Sequence, residues 1–355
     1  MENKSDTVKL TVGGMEYRGW TSVSVTRSIE AISGRFSLGL TESWPGQETV
    51  WPILPGDSCE VSIGGDIVLT GMVDSASPMF SADSHDIVAS GRDQTGQMVD
   101  CSAVHSPGEW SGLKLDRIAA ILAEPFDIAV TTQADVGPAW PAERPLKLQP
   151  GETAFEMLDR ACRTRGILPI SDGRGGLVLT KPGQIRCTTA LVQGQNVKSA
   201  VLSNDTTDRY RTYIVRGSQP GSDYLSPDQS SAVEARATDA GSAAGRTLIV
   251  MAEGAVDIAS ARKRAQWEAT VRAARAVAVS VTVQGWRQAD GTLWPVNGLV
   301  QVDLPWLRIS GEMLITELTY TLDESGTQTQ MTLRRKDAYA PEPEKPVDND
   351  PWGDL

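Results

Sequence analysis

Residues 55–93 read PGDSCEVSIGGDIVLTGMVDSASPMFSADSHDIVASGRD, and this stretch predicts a β-meander. The pair Gly64-Gly65 supplies the positive φ angles of a tight hairpin, so the first two strands are expected to meet there. A longer loop, Ser75–Ser84, is expected to lead into the third strand. The three predicted strands are Cys59–Ile63, Ile67–Asp74 and Asp86–Ser90.

A similar order of elements returns near the other end of the chain. Residues 297–337 read NGLVQVDLPWLRISGEMLITELTYTLDESGTQTQMTLRRKD. A glycine again precedes a short Val-rich strand, and a turn and a longer strand follow. The last strand ends in Lys336-Asp337, as the first meander ends in Arg92-Asp93. The order of elements, rather than residue identity, predicts an internal duplication.

Length and composition bound the fold class. A chain of 355 residues is too long for one ordinary core and predicts about two to four domains. Its 40% hydrophobic and 22% charged residues are typical of a globular protein, and 33 Gly with 20 Pro indicate the many turns of a β-rich fold. No apolar run is long enough to span a bilayer, and the first residues, MENKSDTVKL, lack the hydrophobic region of a signal peptide.

Charge and cysteine usage exclude several classes of function. The net charge of −12 argues against general binding to a phosphate backbone, which needs clustered Lys and Arg. The cysteines lie far apart without C-x-x-C spacing, which is typical of reduced thiols in a protein made in the cytoplasm. They are Cys59, Cys101, Cys162 and Cys187.

Turn signals divide the chain into a β-rich start, a mixed centre and a β-rich end. Residues 6–100 predict a small antiparallel sandwich or barrel, in which Tyr17–Thr26 is one of the strands. The centre predicts a helix over Ser111–Ala123 and another that Gly151 or Thr153 caps and Gly166 ends. Further along the chain a helix is predicted over Val256–Ala276. The strands predicted there are Leu168–Ser171, Leu177–Thr180, Tyr210–Gly217 and Val277–Gly285. Residues 218–246 are the least ordered interior stretch by composition, and the end of the chain reads as an acidic, Pro-rich tail in which Trp352 is a candidate anchor.

Residues that could perform catalysis are scarce. His85 lies in Asp83-Ser-His-Asp86, which offers metal ligands, but no distant His or Cys pair completes a four-ligand set. His105 lies beside Ser106 in a predicted loop, where an ordinary polar loop is the favoured interpretation. Neither a nucleophile elbow nor a phosphate-binding glycine motif is present, and the clusters at 64–65 and 173–176 are explained as turns. The sequence therefore predicts no catalytic, cofactor or metal site.

Three charged clusters have a simple and a functional interpretation. Asp323-Glu324 lies in a predicted hairpin turn, where solvated charge is the default. Arg262-Lys263-Arg264 lies on a predicted helix, where a solvated face is favoured over a site for an acidic partner. Arg334-Arg335-Lys336 leaves the last strand, and a partner contact there stays open.

Three segments together resemble the Mu-type tail protein P family, the baseplate hubs of contractile-tailed phages and their prophage relatives. They are GWTSVSVTRSIEAISGRFSLGLTE (19–42), ASGRD (89–93) with Asp100-Cys101 after it, and PGETAFEMLDRACRTRGILPISDGRGGLVL (150–179). The resemblance extends to about Ala338, in the family's order. The motifs are structural rather than catalytic, so their combination carries the resemblance.

The resemblance implies an α+β, mainly β fold, in which two similar antiparallel β-barrel (tube) domains flank a smaller α/β domain. It places a loop-helix insertion at about residues 218–276, within the second barrel. The implied segments are 1–107 for the first barrel, 108–200 for the α/β domain, 201–337 for the second barrel and 338–355 for the acidic tail.

The function implied by the resemblance is structural. Three subunits with two barrels each form a pseudo-six-fold ring that joins the tail tube to the three-fold spike and lets DNA pass without specific binding. The implied partners are two further copies, the tail tube protein above, the spike protein below and the neighbouring baseplate wedge proteins. The implied location is the virion baseplate, after assembly in the bacterial cytoplasm and without membrane insertion. An acidic lining of the channel is expected to let DNA slide, because a basic wall would hold it.

Alternatives stay open at the level of sequence. The same hub architecture serves a tailocin or a type VI-like injection machine. A tail-associated peptidoglycan hydrolase or a carbohydrate-binding module is a further alternative, which the missing acid/base residues disfavour.

Overall fold

A computed structural model describes residues 6–42, 53–81, 85–218 and 233–343. Strands make up 46% of the chain and helices 18%, which confirms the predicted α+β, mainly β class. The strands are β1 Val8–Val12, β2 Met15–Tyr17, β3 Ser22–Ser28, β4 Arg35–Glu42, β5 Ser58–Ile63, β6 Asp66–Phe80, β7 His85–Asp93, β8 Glu109–Trp110, β9 Val130–Thr132, β10 Leu146–Lys147 and β11 Leu168–Ser171. Further along the chain they are β12 Leu177–Thr180, β13 Ile185–Arg186, β14 Leu191–Val192, β15 Val197–Asn204, β16 Thr212–Ser218, β17 Val233–Thr238, β18 Thr247–Ala255, β19 Val277–Gln284, β20 Gly298–Leu304, β21 Ile309–Asp323 and β22 Gly326–Arg334. The helices are α1 Gly96–Asp100, α2 Leu115–Ala123, α3 Ala154–Arg165 and α4 Ile258–Arg275.

Residues 1–201 and 279–333 make up the first of two compact units. Its main sheet runs in the order β15-β19-β22-β21-β3-β4-β7-β6-β5-β1-β2, and β20 adds to β21 while β13 and β14 pair with β20. One face is closed by apolar side chains that alternate along β1, β3, β4 and β19, among other strands. Examples with 3% exposure or less are Val23, Val25, Phe36, Leu38, Ala89, Val279 and Val281.

Two sets of strands in this sheet repeat one another. The first strand set pairs in the order β5-β6-β7-β4-β3, and the second strand set in the order β20-β21-β22-β19-β15. In that order the lengths are 6, 15, 9, 8 and 7 residues for the first set and 7, 15, 9, 8 and 8 for the second. The predicted meanders are the leading three strands of each set, so the echo in the sequence extends to five strands in the structure.

The two strand sets meet at one antiparallel joint inside the chain. β3 pairs with β21 from Ser28↔Glu317 to Val23↔Leu322. This joint lies on the C-terminal half of β21, because Ile309–Leu314 pair with β20. The sheet therefore continues from one set into the other without a break.

A separate core forms between the sets in sequence, around α2 and α3. Thr153 caps α3 by accepting from the Glu156 amide at 3.1 Å, while the Glu156 carboxylate accepts from the Thr153 amide at 2.9 Å. Gly166 ends the helix in the left-handed conformation, with φ 61°. This core contains Met157, Leu158, Cys162, Ile118, Leu122 and Leu177. The central α/β segment predicted from the sequence thus has its own hydrophobic interior.

Residues 202–278 and 334–355 make up the second unit. Its sheet has the order β17-β16-β18, with β16 antiparallel to β17 and parallel to β18. Helix α4 packs on this sheet through Ala261 and Ala265, and Asp257 caps it by accepting from the Ser260 amide at 2.6 Å. The segment after β22 lies against α4, where Trp267 Nε1 donates to the Ala340 carbonyl at 2.9 Å.

Several predicted boundaries are wrong, and each has a local reason. The loop predicted over Ser75–Ser84 is wrong for most of its length, because β6 continues to Phe80 by pairing with β7. Tyr17–Thr26 is divided into two strands, since Gly19 takes a φ of 84° between them. The helix predicted from Ser111 begins at Leu115, after a turn at Gly112 with φ 69°.

Some predictions concern residues that the structure does not describe, and the predicted domain boundaries are not tested by it. Residues 43–52, 82–84, 219–232 and the tail with Trp352 lie outside the described residues, although β17 shows order within the stretch predicted to be weakest. The domain boundaries at residues 107, 200 and 337 stay predictions. The structure adds that both meanders belong to one sheet.

Candidate functional surface

The face of the main sheet opposite the apolar core carries a row of hydroxyl groups. The strand register places Thr321, Ser24, Ser37, Ser90 and Ser75 side by side across β21, β3, β4, β7 and β6. On β3, β4 and β7 these positions alternate with buried residues, so their side chains point away from the core, and Ser75 shares that face because it pairs with Ser90. We call these five residues the hydroxyl row. It crosses the joint between the two strand sets.

The neighbouring row mixes hydroxyl, basic and apolar side chains. Thr319, Thr26, Arg35, Arg92 and Met72 are aligned across the same five strands. The hydroxyls of Thr26 and Thr319 lie 2.9 Å apart, which fixes a hydrogen bond directly across the joint. These two rows are therefore polar, and their charged residues are Arg35 and Arg92.

Arg92 is held by two carboxylates. Its guanidinium donates to Asp74 at 2.8 Å and to Asp100 at 2.7 Å. These hydrogen bonds raise the pKa of Arg92 above its usual value, and the bond from Arg92 lowers the pKa of Asp100. The charge of Arg92 on this face is thus balanced locally.

Asp93, which ends the ASGRD motif, is buried at 3% exposure. One carboxylate oxygen accepts from the Gly34 amide at 2.7 Å, and the other accepts from the Thr95 amide at 3.1 Å and the Ser33 hydroxyl at 3.2 Å. The Thr95 hydroxyl also donates to this carboxylate. Burial raises the pKa of Asp93, although the hydrogen bonds that it accepts act in the opposite direction. The motif is a structural anchor that ties β7 to the β3–β4 connection and to the start of α1.

The structure describes the contacts of His105, but of His85 only its position in a strand. His85 is the first residue of β7, and Asp83 lies outside the described residues. His105 stacks on Trp110 with ring centroids 4.6 Å apart. Within the described ranges, no group of three His, Cys, Asp or Glu could hold a metal ion.

The charged clusters make contacts within the chain. Asp323 lies in the β21–β22 turn, as predicted, and accepts from the Ser325 amide at 2.7 Å. Arg264 donates to Glu268 at 2.9 Å, and Arg334 donates to the Arg275 carbonyl at 3.0 Å. These contacts account for one residue of each cluster.

A cavity of about 370 Å³ in the second unit lies beside α4. Arg264 and Arg272 line it, but both donate to Glu268, which is 4% exposed, at 2.9 and 2.8 Å. The buried carboxylate neutralises guanidinium charge at this place, so the cavity lacks the excess of positive charge expected of an anion site. Among the described helices, none is long and apolar enough to cross a membrane.

Sequence reasoning missed the hydroxyl row. Each strand shows a short alternation of apolar and hydroxyl residues, as in SVSVT (22–26) and FSLG (36–39). The alternation indicates one polar face per strand, but the register that aligns five strands depends on long-range pairing. The same pairing determines which strand edges are left free.

Models of known protein families match three parts of the chain. Residues 7–93 match the Mu phage baseplate assembly protein GpP-like, N-terminal domain, and residues 95–181 match the second domain of baseplate hub proteins like gp44. Residues 257–342 match the fourth domain of the Mu phage baseplate assembly protein GpP. The three matches together cover most of the chain.

Individual relatives are similar over almost the full length. The chain is 34% identical to the baseplate hub protein gp44 of Escherichia phage Mu, over 94% of this chain and 89% of that protein. The 43 kDa tail protein of prophage MuSo2 from Shewanella oneidensis has a TM-score of 0.82 at 32% identity, covering 94% of this chain and 99% of that chain. A tail protein from Neisseria meningitidis MC58 has a TM-score of 0.76 at 25% identity, covering 95% and 98%.

Proposed function

Because the chain belongs to the family of Mu phage baseplate hub proteins, we propose that three copies of it form the ring that joins the tail tube to the central spike. The protein is a baseplate hub of a Mu-like phage tail. We further propose that this trimer contacts neighbouring baseplate proteins and lets DNA pass during ejection.

The observation that carries the proposal is the repeat of five strands in one order. A chain with two equivalent strand sets lets three subunits present six similar units. Such a ring matches a six-fold tube on one side and a three-fold spike on the other. A single strand set per chain would need six subunits for the same match.

The hydroxyl row suggests how such a ring lets DNA pass. The core face is closed by apolar side chains, so the opposite face is the one available to line a channel. We place the hydroxyl row toward DNA, where it would present uncharged side chains, and the acidic lining expected from the sequence stays a prediction. Ser and Thr side chains release no counterions from phosphate, so they leave DNA free to slide.

The lining can be tested by adding charge. We expect the wild-type protein to show no salt-dependent DNA binding, whereas Ser37→Lys together with Ser90→Lys creates binding that weakens steeply with salt. A matched control places the lysines at the exposed Ser102 and Ser111, away from the hydroxyl row. Tight, salt-sensitive binding by the wild type would contradict an uncharged lining.

The relatives are structural baseplate proteins, and we propose that this chain is likewise not an enzyme. Its proposed partners are the tail tube protein, the spike protein and the baseplate wedge proteins, and its proposed place of assembly is the host cytoplasm. The direct test of the ring is native mass spectrometry of the purified protein. We expect a species three times the mass of the 38.1 kDa chain, and a stable dimer or tetramer would refute the proposal.

A further inference from the structure

Among the described strands, none covers one edge of β6 over its C-terminal half. β5 pairs with β6 only as far as Met72, and β7 occupies the opposite edge from Gly71 to Phe80. In the described part of the chain, no strand pairs with the free edge from Asp74 onward. Met79 is 53% exposed and Phe80 86% exposed on this segment. Two large apolar side chains on an open strand edge indicate a missing partner strand.

Strand β15 has the other free edge. It ends the sheet order and has β19 as its one strand neighbour among the described strands. Its side chains are half-buried or exposed throughout, and Val201 is 65% exposed. Val197 at the start of β15 bridges to Gln193, and the rest of this edge, with the exposed Val201, is a second open surface of the same kind.

The pairing of β3 with β21 inside the chain indicates how the open edges of β15 and β6 could pair. β3 pairs with the C-terminal half of β21, beyond the end of β20. In the repeat, β15 corresponds to β3 and β6 corresponds to β21. The two edges are therefore the two halves of the same joint, and neither half has a strand partner among the described residues.

The register of β15 follows from its backbone. The Asp205 amide donates to the Ala276 carbonyl at 2.8 Å, and counting four residues back along the antiparallel pair places Val201 opposite Ser280. Ser280 lies between the buried Val279 and Val281, as Ser37 lies between Phe36 and Leu38.

Ser37 pairs with Ser24 in the first set, so Val201 corresponds to Ser24. In the joint, Ser24 lies opposite Thr321, which follows the buried Tyr320. On β6 the equivalent position is the exposed Pro78, which lies opposite the buried Ile87. The residue that corresponds to Thr321 is then Met79.

We propose that residues 200–204 of β15 in one copy pair antiparallel with residues 76–80 of β6 in the next copy, with Val201 opposite Met79. This inference rests on the proposed trimer and assigns its contact surface. The register brings two exposed apolar side chains together, although it was derived from the repeat and not from their exposure. Each copy gives one edge and receives one edge, and this head-to-tail contact closes after three copies.

An engineered disulfide tests the contact. Directly opposed residues of antiparallel strands have Cα atoms about 4.5–5.5 Å apart, within the range that a disulfide spans. We would combine Met79→Cys with Val201→Cys in a background where the exposed Cys101 is replaced by Ser. After oxidation, denaturing gels without reductant are expected to show covalent dimers and trimers and no larger ladder.

The control is Met79→Cys with Val197→Cys, which shifts the cysteine by four residues, or about 13 Å along the strand. Single-cysteine variants give the background level of cross-linking. Native mass spectrometry of the same samples separates the two ideas. Native trimers with no more cross-linking in register than in the control would overturn this strand pairing and leave the ring intact. A protein that is monomeric by mass and not cross-linked would overturn both.

Discussion

Replacing Asp93 by Ala tests the structural reading of the ASGRD motif most sharply. The carboxylate is 3% exposed and accepts from two backbone amides, those of Gly34 and Thr95. Removing it leaves both N–H groups without this acceptor in a buried place, and each unsatisfied buried donor costs about 1–3 kcal/mol. The Thr95 hydroxyl keeps the Ile32 carbonyl as an acceptor at 3.2 Å. We therefore expect a loss of about 2–6 kcal/mol in the free energy of unfolding.

Asp93→Asn separates shape from charge. One amide oxygen can still accept on the Thr95 side, but the amide nitrogen then faces the Gly34 N–H, so one donor is left unsatisfied. We expect a loss of about 1–3 kcal/mol, intermediate between wild type and Asp93→Ala.

The assay is urea-induced unfolding followed by circular dichroism at neutral pH. The matched control is Asp100→Asn, which removes an exposed partner of Arg92 on the same motif and should cost about 0–1 kcal/mol. If Asp93→Ala unfolds at the wild-type urea concentration, the anchor reading is refuted. The same holds if the Asp100 control is the more damaging change.

Three further changes test other parts of the fold. Thr153→Ala removes the capping box with Glu156 and should cost about 1 kcal/mol in unfolding free energy, and an unchanged value would contradict the cap. Gly71→Ala places a Cβ 2.0 Å from a carbonyl oxygen of β7, so we expect no folded protein by circular dichroism, and a native-like melt would disprove that close approach. The hydrogen bond from Arg209 lowers the pKa of Asp239 below its unfolded value, so the stabilisation is present above the unfolded pKa and is lost as pH falls through the folded pKa. Unfolding of wild type and Asp239→Asn, compared from neutral to acid pH, should show the difference between them shrink in acid, and a constant difference would contradict this.

Local signals were enough to predict some elements closely. The strands Leu168–Ser171 and Leu177–Thr180 match the prediction, because turn glycines between them limit where each strand can begin and end. Thr153 and Gly166 mark the ends of α3 through short-range capping chemistry. Such contacts involve residues close in sequence, so the sequence displays them directly.

The features that the sequence did not predict, the C-terminal half of β6 and the five-strand repeat, depend on long-range strand pairing. SASPMF (75–80) has no regular alternation and includes Pro78, yet it is a strand because β7 pairs along it. The repeat was visible as a weak echo of three strands, while β15 and β19 gave no pattern that linked them to β3 and β4. Strand order and length, rather than residue identity, reveal the full repeat.

On the candidate surface, too, residue types could be predicted from the sequence, but their alignment depends on long-range strand pairing. The absence of a catalytic motif was readable from residue types, but the hydroxyl row and the free edges arise from register. Ser24, Ser37 and Ser90 are ordinary polar residues in three separate strands until pairing aligns them. Their shared role therefore had no signal in any one segment.

We propose that three subunits, each with two equivalent strand sets, build a ring of near-six-fold appearance. Electron microscopy of the purified ring, viewed along its axis, measures this directly through rotational symmetry. We expect three-fold symmetry with six similar densities around one channel. A ring of six copies, or three densities without a six-fold repeat, would contradict it.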